Sequence, residues 1–291
     1  MNYIDLYKIQ LGQDKQEIEK YYETDIYNEY CGLNCFLNNF ERTNLSIRNA
    51  IEDVISNLVE EESHIEDCVK LIKNTINEFE KSGHPLFSTY DFDGVLFLIG
   101  DMTVDSQGIM IEDKSYMVVD LAAYLSAKDK YNPISFVVHE VVHPIHYKYN
   151  PDMYFRHYKN YKEVVLKRML IEGMATYLTK HFTDESDADI FWLGYLDEIG
   201  IKNWINYATD KKESLSKKIK KLIENDELES EYGYLLFSIT DPEKLWKGRL
   251  AYYYGYDIIK SIHKVKSIDE ILSMQLEDFF PHILNYFNIE L

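Results

Sequence analysis

The chain has 291 residues, 46% of them hydrophobic and 14% aromatic, with a formal net charge of −19. Such a composition belongs to a packed globular protein and excludes a disordered one. The acidity excludes duplex nucleic acid as a partner, because phosphate binding needs clustered Lys and Arg.

The first residues, Met1-Asn2-Tyr3-Ile4-Asp5, carry no basic stretch followed by an apolar run. No signal peptide is predicted, and no apolar run reaches the roughly 18 residues that span a membrane. A cytoplasmic protein without a membrane partner is therefore expected. Residues 14 to about 80 read as helices: Ile18, Tyr21, Tyr22, Ile26 and Tyr30 recur at helical spacing, as do Ile51, Val54, Ile55 and Leu58, then Leu71, Ile72, Ile76 and Phe79. Three cysteines, Cys31, Cys35 and Cys68, are too few and odd in number for a disulfide framework, and read as buried free thiols. Ser82-Gly83-His84-Pro85 ends the helical region.

Three strands are predicted next. Val95–Ile99 is an apolar run closed by Gly94 and Gly100, and 108–111 and 116–119 are similar. From about residue 133 the chain reads mainly as helices, with Pro151, Pro242 and Pro281 as punctuation. Lys211, Lys212, Lys217, Lys218, Lys220 and Lys221 form a basic run flanked by acids, read as a solvated helix face. The predicted fold class is α+β, mainly helical, with a small sheet. A helical region over 1–90 precedes a region over 91–291 that carries the chemistry and further helices.

That chemistry starts at His139-Glu140-Val141-Val142-His143. On a helix, residues four apart lie on one face, so both imidazoles can reach one metal ion. The intervening Glu140 sits to the side, where it can act on a water beside the ion without being a ligand. Asn132 is a good N-cap and Pro133 suits the first helical position. Ile134, Phe136, Val137, Val138, Val141, Val142 and Ile145 make the helix apolar nearly all round, hence buried. Two histidines and a glutamate inside such a helix are costly unless something such as a metal satisfies them.

A third ligand is available 29 positions after His143, at Glu172 in Ile171-Glu172-Gly173-Met174-Ala175. That separation lets a second helix return beside the first, with Val165, Met169, Glu172 and Thr176 on one face. Gly173 in mid-helix points to a close helix approach there, with or without a metal. His146, seven residues after His139, is an alternative third ligand, although Pro144 disturbs the helix between them.

The HExxH motif followed by a helix bearing Glu-Gly-x-Ala resembles the gluzincin zinc metallopeptidases, and most of all the uncharacterised bacterial branch of predicted zinc proteases with an EGxA segment. The resemblance covers about residues 90–260 and none of the first 90. It implies a zincin-like catalytic region with His139, His143 and Glu172 as zinc ligands and Glu140 as base. It also implies that the predicted sheet lies over a peptide substrate, with an edge strand able to pair with it. Many gluzincins place Asp four residues after the ligand Glu, to orient a zinc-bound His; this chain has Thr176. Enzymes of this kind use a donor opposite the metal to stabilise the oxyanion. Tyr252 and then Tyr256, one helical turn apart in a Gly-Tyr-rich segment around Gly255, are the candidates; an aromatic packing stripe is the competing reading.

The expectation is a zinc-dependent hydrolase that cleaves amide bonds of a peptide or protein substrate, with water activated by Glu140. The alternatives are a zinc-binding regulatory protein with little turnover, and a helical interaction protein carrying the motif by chance. No G-x-S-x-G elbow, Walker loop or dinucleotide motif is present. His157, His181 and His263 have no motif context and read as ordinary satisfied histidines; His64, His84 and His282 give no signal.

Overall fold

The computed structural model describes residues 1–12, 14–37, 41–239, 241 and 243–290; Pro242 lies outside them. It is a mainly helical α+β protein with one four-stranded sheet among the described residues. The chain divides into two compact units, one of Met1–Pro133 with His143–Lys148, the other of Ile134–Val142 with Tyr149–Leu291.

The first unit holds the sheet. Strand β1 (Tyr3–Asp5) is followed by helices α1 (Tyr7–Gln10), α2 (Lys15–Tyr22), α3 (Asp25–Leu37), α4 (Asn44–Leu58), α5 (Glu62–Ser82) and α6 (Pro85–Thr89). Then come β2 (Gly94–Leu98), β3 (Ser106–Ile111), β4 (Lys114–Asp120) and α7 (Leu121–Ala127). The strand order is β1-β2-β4-β3, with β2 parallel to β1 and β4 and β3 antiparallel at the edge. All three predicted strands are present. β1 was not legible, because three residues with one aliphatic side chain carry no period; it exists by pairing Tyr3, Ile4 and Asp5 with Val95, Leu96 and Phe97.

The helical periodicity holds with local differences. Ile47, Ile51, Ile65, Ile72 and Ile76 are buried, but Leu71 faces outward at 42% exposure. Gly83 stops α5 in the left-handed conformation at φ +67°, which glycine adopts without a Cβ penalty. Cys31 and Cys68 are buried free thiols, whereas Cys35 is half-buried. Asp120 joins the sheet to α7. Its fully buried carboxylate accepts from the N–H groups of Gly100 (3.0 Å), Met102 (2.8 Å), Ala122 (3.0 Å) and Ala123 (3.3 Å). Gly100 is required there, because a Cβ would overlap that carboxylate.

Helix α8 (Pro133–Tyr149) carries the HExxH motif and begins at the predicted proline. Phe136, Val137, Val138, Val141, Val142 and Ile145 are fully buried, as the all-round apolar pattern requires. The second unit adds α9 (Tyr161–Phe182), α10 (Asp187–Trp192), α11 (Glu198–Asn225), α12 (Ser230–Phe237), α13 (Leu250–Ile262), α14 (Ile268–Leu272) and α15 (Leu276–Phe287). The lysine run lies on α11, where Lys218 pairs with Glu229 and Lys221 with Glu227. Pro281 does not punctuate: it lies inside α15. Pro151 opens a short 3-10 turn. No helix among the described residues is long and apolar enough to cross a membrane.

Candidate metal centre

His139, Glu140 and His143 are buried, at 3%, 6% and 2% exposure, and each offers a ligand atom within 4.8 Å of the others. They could hold a metal ion. Helical spacing produces this geometry, since His139 and His143 are one turn apart with Glu140 beside them. The edge strand packs against the His143–Lys148 stretch of the helix, which belongs to the same compact unit. A Cβ on Gly108 of β3 would lie 2.9 Å from His143 Cβ, 2.9 Å from the Pro144 nitrogen and 2.7 Å from the Tyr147 ring. Only a glycine lets the strand pass so near. Pro144 has no N–H to give the Glu140 carbonyl, so helix continuity here rests on packing more than on the hydrogen-bond ladder.

Helix α9 starts where the Asn160 side chain accepts from the Glu163 N–H at 3.0 Å. Three turns later it presents Glu172, whose carboxylate lies 3.4 Å from His139 Nε2. Glu172 keeps 12% side-chain exposure. Thr176, where the resemblance places an Asp, is fully buried and donates its hydroxyl to the Glu172 backbone carbonyl at 2.8 Å. That hydroxyl is committed to its own helix, a common use of Thr at this spacing.

Gly173 explains how α9 comes into place. A Cβ there would overlap the backbone of Gly255 on α13, and a Cβ on Gly255 would lie 2.8 Å from Gly173 Cα and overlap the Met169 carbonyl. The two helices therefore cross backbone to backbone, one residue from Glu172. Crossing at that point brings the start of α13 to the motif helix. Tyr252 stacks on His139, with centroids 6.3 Å apart and planes at 16°. Burial pushes the Tyr252 hydroxyl above its ordinary pKa, with Arg249 the main opposing charge.

Arg249 carried no role in the sequence reading. It precedes α13 in the left-handed conformation at φ +55°, which costs a non-glycine residue about 1 kcal/mol. Its guanidinium lies 4.0 Å over the Tyr252 ring and 4.9 Å over Trp192. Arg168, one turn before Glu172 on α9, lies 4.2 Å over the Phe237 ring.

Two further candidate residues, Tyr256 and His146, have other surroundings. Tyr256 packs its ring on Phe191 (4.9 Å) and Tyr177 (5.8 Å). His146 is fully buried and lies outside the His139–Glu140–His143 group. Neither of its ring nitrogens has a hydrogen-bond partner among the described residues, and burial, with His143 nearby, holds its pKa down to about 3. His181 and His263, read as unrelated, meet at the far end of α9 and α13 with rings 5.2 Å apart.

A scan of protein-family models found no match to this chain, and neither did searches of curated proteins and of solved structures.

Proposed function

We propose that this protein is a zinc-dependent hydrolase of the peptidase type, with His139, His143 and Glu172 as ligands and Glu140 as general base. The observation that carries the reading is the donor set: the buried His139, Glu140 and His143, with the part-exposed Glu172 carboxylate 3.4 Å from His139 Nε2. The donors fit zinc, which takes His nitrogen and carboxylate oxygen at about 2.0–2.2 Å in a tetrahedral shell and so spaces its ligand atoms about 3–4 Å apart. A zinc ion held there would supply Lewis acidity, bringing the pKa of a water towards neutrality and polarising the amide carbonyl.

The remaining chemistry belongs to the chain. Glu140 takes one proton from the attacking water as its oxygen adds to the carbonyl carbon. The same carboxyl then delivers that proton to the amine nitrogen as the C–N bond breaks. Tyr252, stacked on His139, supplies a hydroxyl donor for the carbonyl oxygen as it gains negative charge. Strand β3, antiparallel at the sheet edge and seated on His143 and Tyr147 through Gly108, supplies unpaired backbone groups with which an extended peptide can pair.

The test pairs metal content with hydrolysis of a fluorogenic peptide library. Wild type is expected to hold about one zinc per chain at this site, and Glu172→Ala to bind it at least about 100-fold more weakly, more than loss of a mere orienting partner costs. Glu140→Gln should retain zinc and lose about 10²–10⁴-fold in turnover. A Glu140→Gln variant that hydrolyses at the wild-type rate ends the assignment of Glu140. Zinc without hydrolysis in wild type would instead make this a zinc-binding regulatory protein.

A further inference from the structure

Helices α9 and α13 hold a second group of metal-binding side chains, well away from the motif. From the Gly173–Gly255 crossing the two helices run in the same direction and in step. His181 lies eight positions beyond Gly173, and His263 lies eight beyond Gly255. Both therefore reach the same level, about 12 Å along the helices from the crossing. His181 sits in the last turn of α9, and His263 is the C-cap residue of α13.

Their rings lie 5.2 Å apart, with planes at 79°. Two imidazoles sharing one tetrahedral ion at a metal–nitrogen distance of about 2.0–2.1 Å place their centroids about 5 Å apart. Tyr177, one turn before His181, fixes the second ring: its hydroxyl oxygen is 2.5 Å from His263 Nδ1. With Nδ1–H donating to that oxygen, Nε2 carries the lone pair, and a hydrogen bond of this kind commonly sets the tautomer of a metal-binding histidine. The Tyr177 ring also stacks on His181 at 6.0 Å, so one residue orients both imidazoles.

The setting favours a cation for a separate reason. Two helix C-termini converge here, each with the equivalent of about half a negative charge on its open carbonyls. His181 is exposed and His263 half-buried, so an ion reaches them from solvent.

We propose that His181 and His263, with Tyr177 as the orienting residue, form a second, solvent-open site for a divalent transition ion such as zinc, copper or nickel. The site is independent of the motif on α8 and stands whether or not the protein hydrolyses anything. Two protein ligands leave the rest of the shell to water, so it should bind more weakly than a buried three-ligand centre.

The experiment is a zinc titration of the full chain, with bound metal read by mass spectrometry and isothermal calorimetry. In a His139→Ala/His143→Ala background, about one zinc per chain is expected to remain. Adding His181→Ala should weaken that binding at least about 10-fold, and Tyr177→Phe should weaken it about 10-fold through loss of the orienting bond. His181 is exposed, so its variant should fold as the parent does, which circular dichroism checks. Failure of the doubly substituted background to bind zinc while folded overturns the site. Binding that His181→Ala leaves unchanged overturns it equally. Loss of zinc from α8 alone bears on the proposed hydrolase and leaves this site standing.

Discussion

One pair of helices, α9 and α13, carries histidine chemistry at both ends, and the ends differ in almost every physical respect. At the Gly173–Gly255 crossing, the half-buried Glu172 and Tyr252 meet the buried His139. At the C-terminal end, His181 and His263 meet Tyr177 beside solvent. The buried end needs close backbone contact to bring its groups together, and every polar group there is costly unless satisfied. The open end needs only helix register, because water can satisfy whatever the side chains do not. Buried chemistry therefore leaves a sequence trace, glycines at the point of approach, whereas open chemistry leaves almost none.

The largest effect should come from a change that strikes both ends at once. Gly255→Ala places a methyl against the Met169 carbonyl and Gly173 Cα, all backbone, so the helices must part. Overpacking of this kind costs about 3 kcal/mol or more. Denaturant unfolding should show that loss. Zinc binding should fall at both centres, although neither contains residue 255. A variant of unchanged stability would show that the crossing is not tight, and would remove the reason for the glycines. Gly173→Ala tests the same contact from the other helix.

A smaller effect, confined to the buried end, is expected from Tyr252→Phe. The phenyl ring still stacks on His139, so zinc content should stay at the wild-type level. Only the hydroxyl is lost, and removing one oxyanion donor costs about 10²–10³-fold in kcat. Tyr256→Phe is the internal control, because that ring packs on Phe191 and Tyr177 and should leave turnover within about twofold. Reversal of the two outcomes would move the donor role to Tyr256 and require α13 to turn from the position described.

How much was legible follows the same divide. Long periodic segments declared themselves: α8 from its apolar residues and starting proline, α5 with its glycine stop, and the strands at 94–98, 106–111 and 114–120. Gly173 signalled a close helix approach, and the backbone of Gly255 meets it there, although the partner helix is α13 and not the motif helix α8. β1 was hidden because three residues gain their structure only from a partner strand 92 positions away. Arg249 was hidden because its clamp on Tyr252 and Trp192 depends on a left-handed residue before α13, which no local pattern announces. Pro281 misled because a proline can sit inside a helix when tertiary packing outweighs one lost hydrogen bond. The His181–His263 pair was invisible for a plainer reason: 82 positions separate the two residues, and only the parallel course of the helices unites them.

The smallest effect at pH 7 concerns a buried group that neither end uses. His146 is fully buried on α8, and neither ring nitrogen has a hydrogen-bond partner among the described residues. Its pKa is held down to about 3 by burial, with His143 second. The native state therefore keeps it neutral, while the unfolded chain binds a proton below an ordinary value of about 6.5. Its contribution to stability is intact above that pH and declines as pH falls from about 6.5 towards 3, because protons then favour the unfolded state. His146→Leu removes both the titration and an unsatisfied buried imidazole, which costs about 1–3 kcal/mol when left without partners. The variant should match or exceed wild type by about 1 kcal/mol at pH 7, and the gap should widen as the pH is lowered to 4. Zinc content should not change, since His146 lies outside the ligand group. Parallel stability curves for the two proteins between pH 7 and 4 would show that His146 is protonated or hydrogen-bonded in the native state. Loss of zinc from the variant would instead place His146 in the metal centre and displace Glu172 from it.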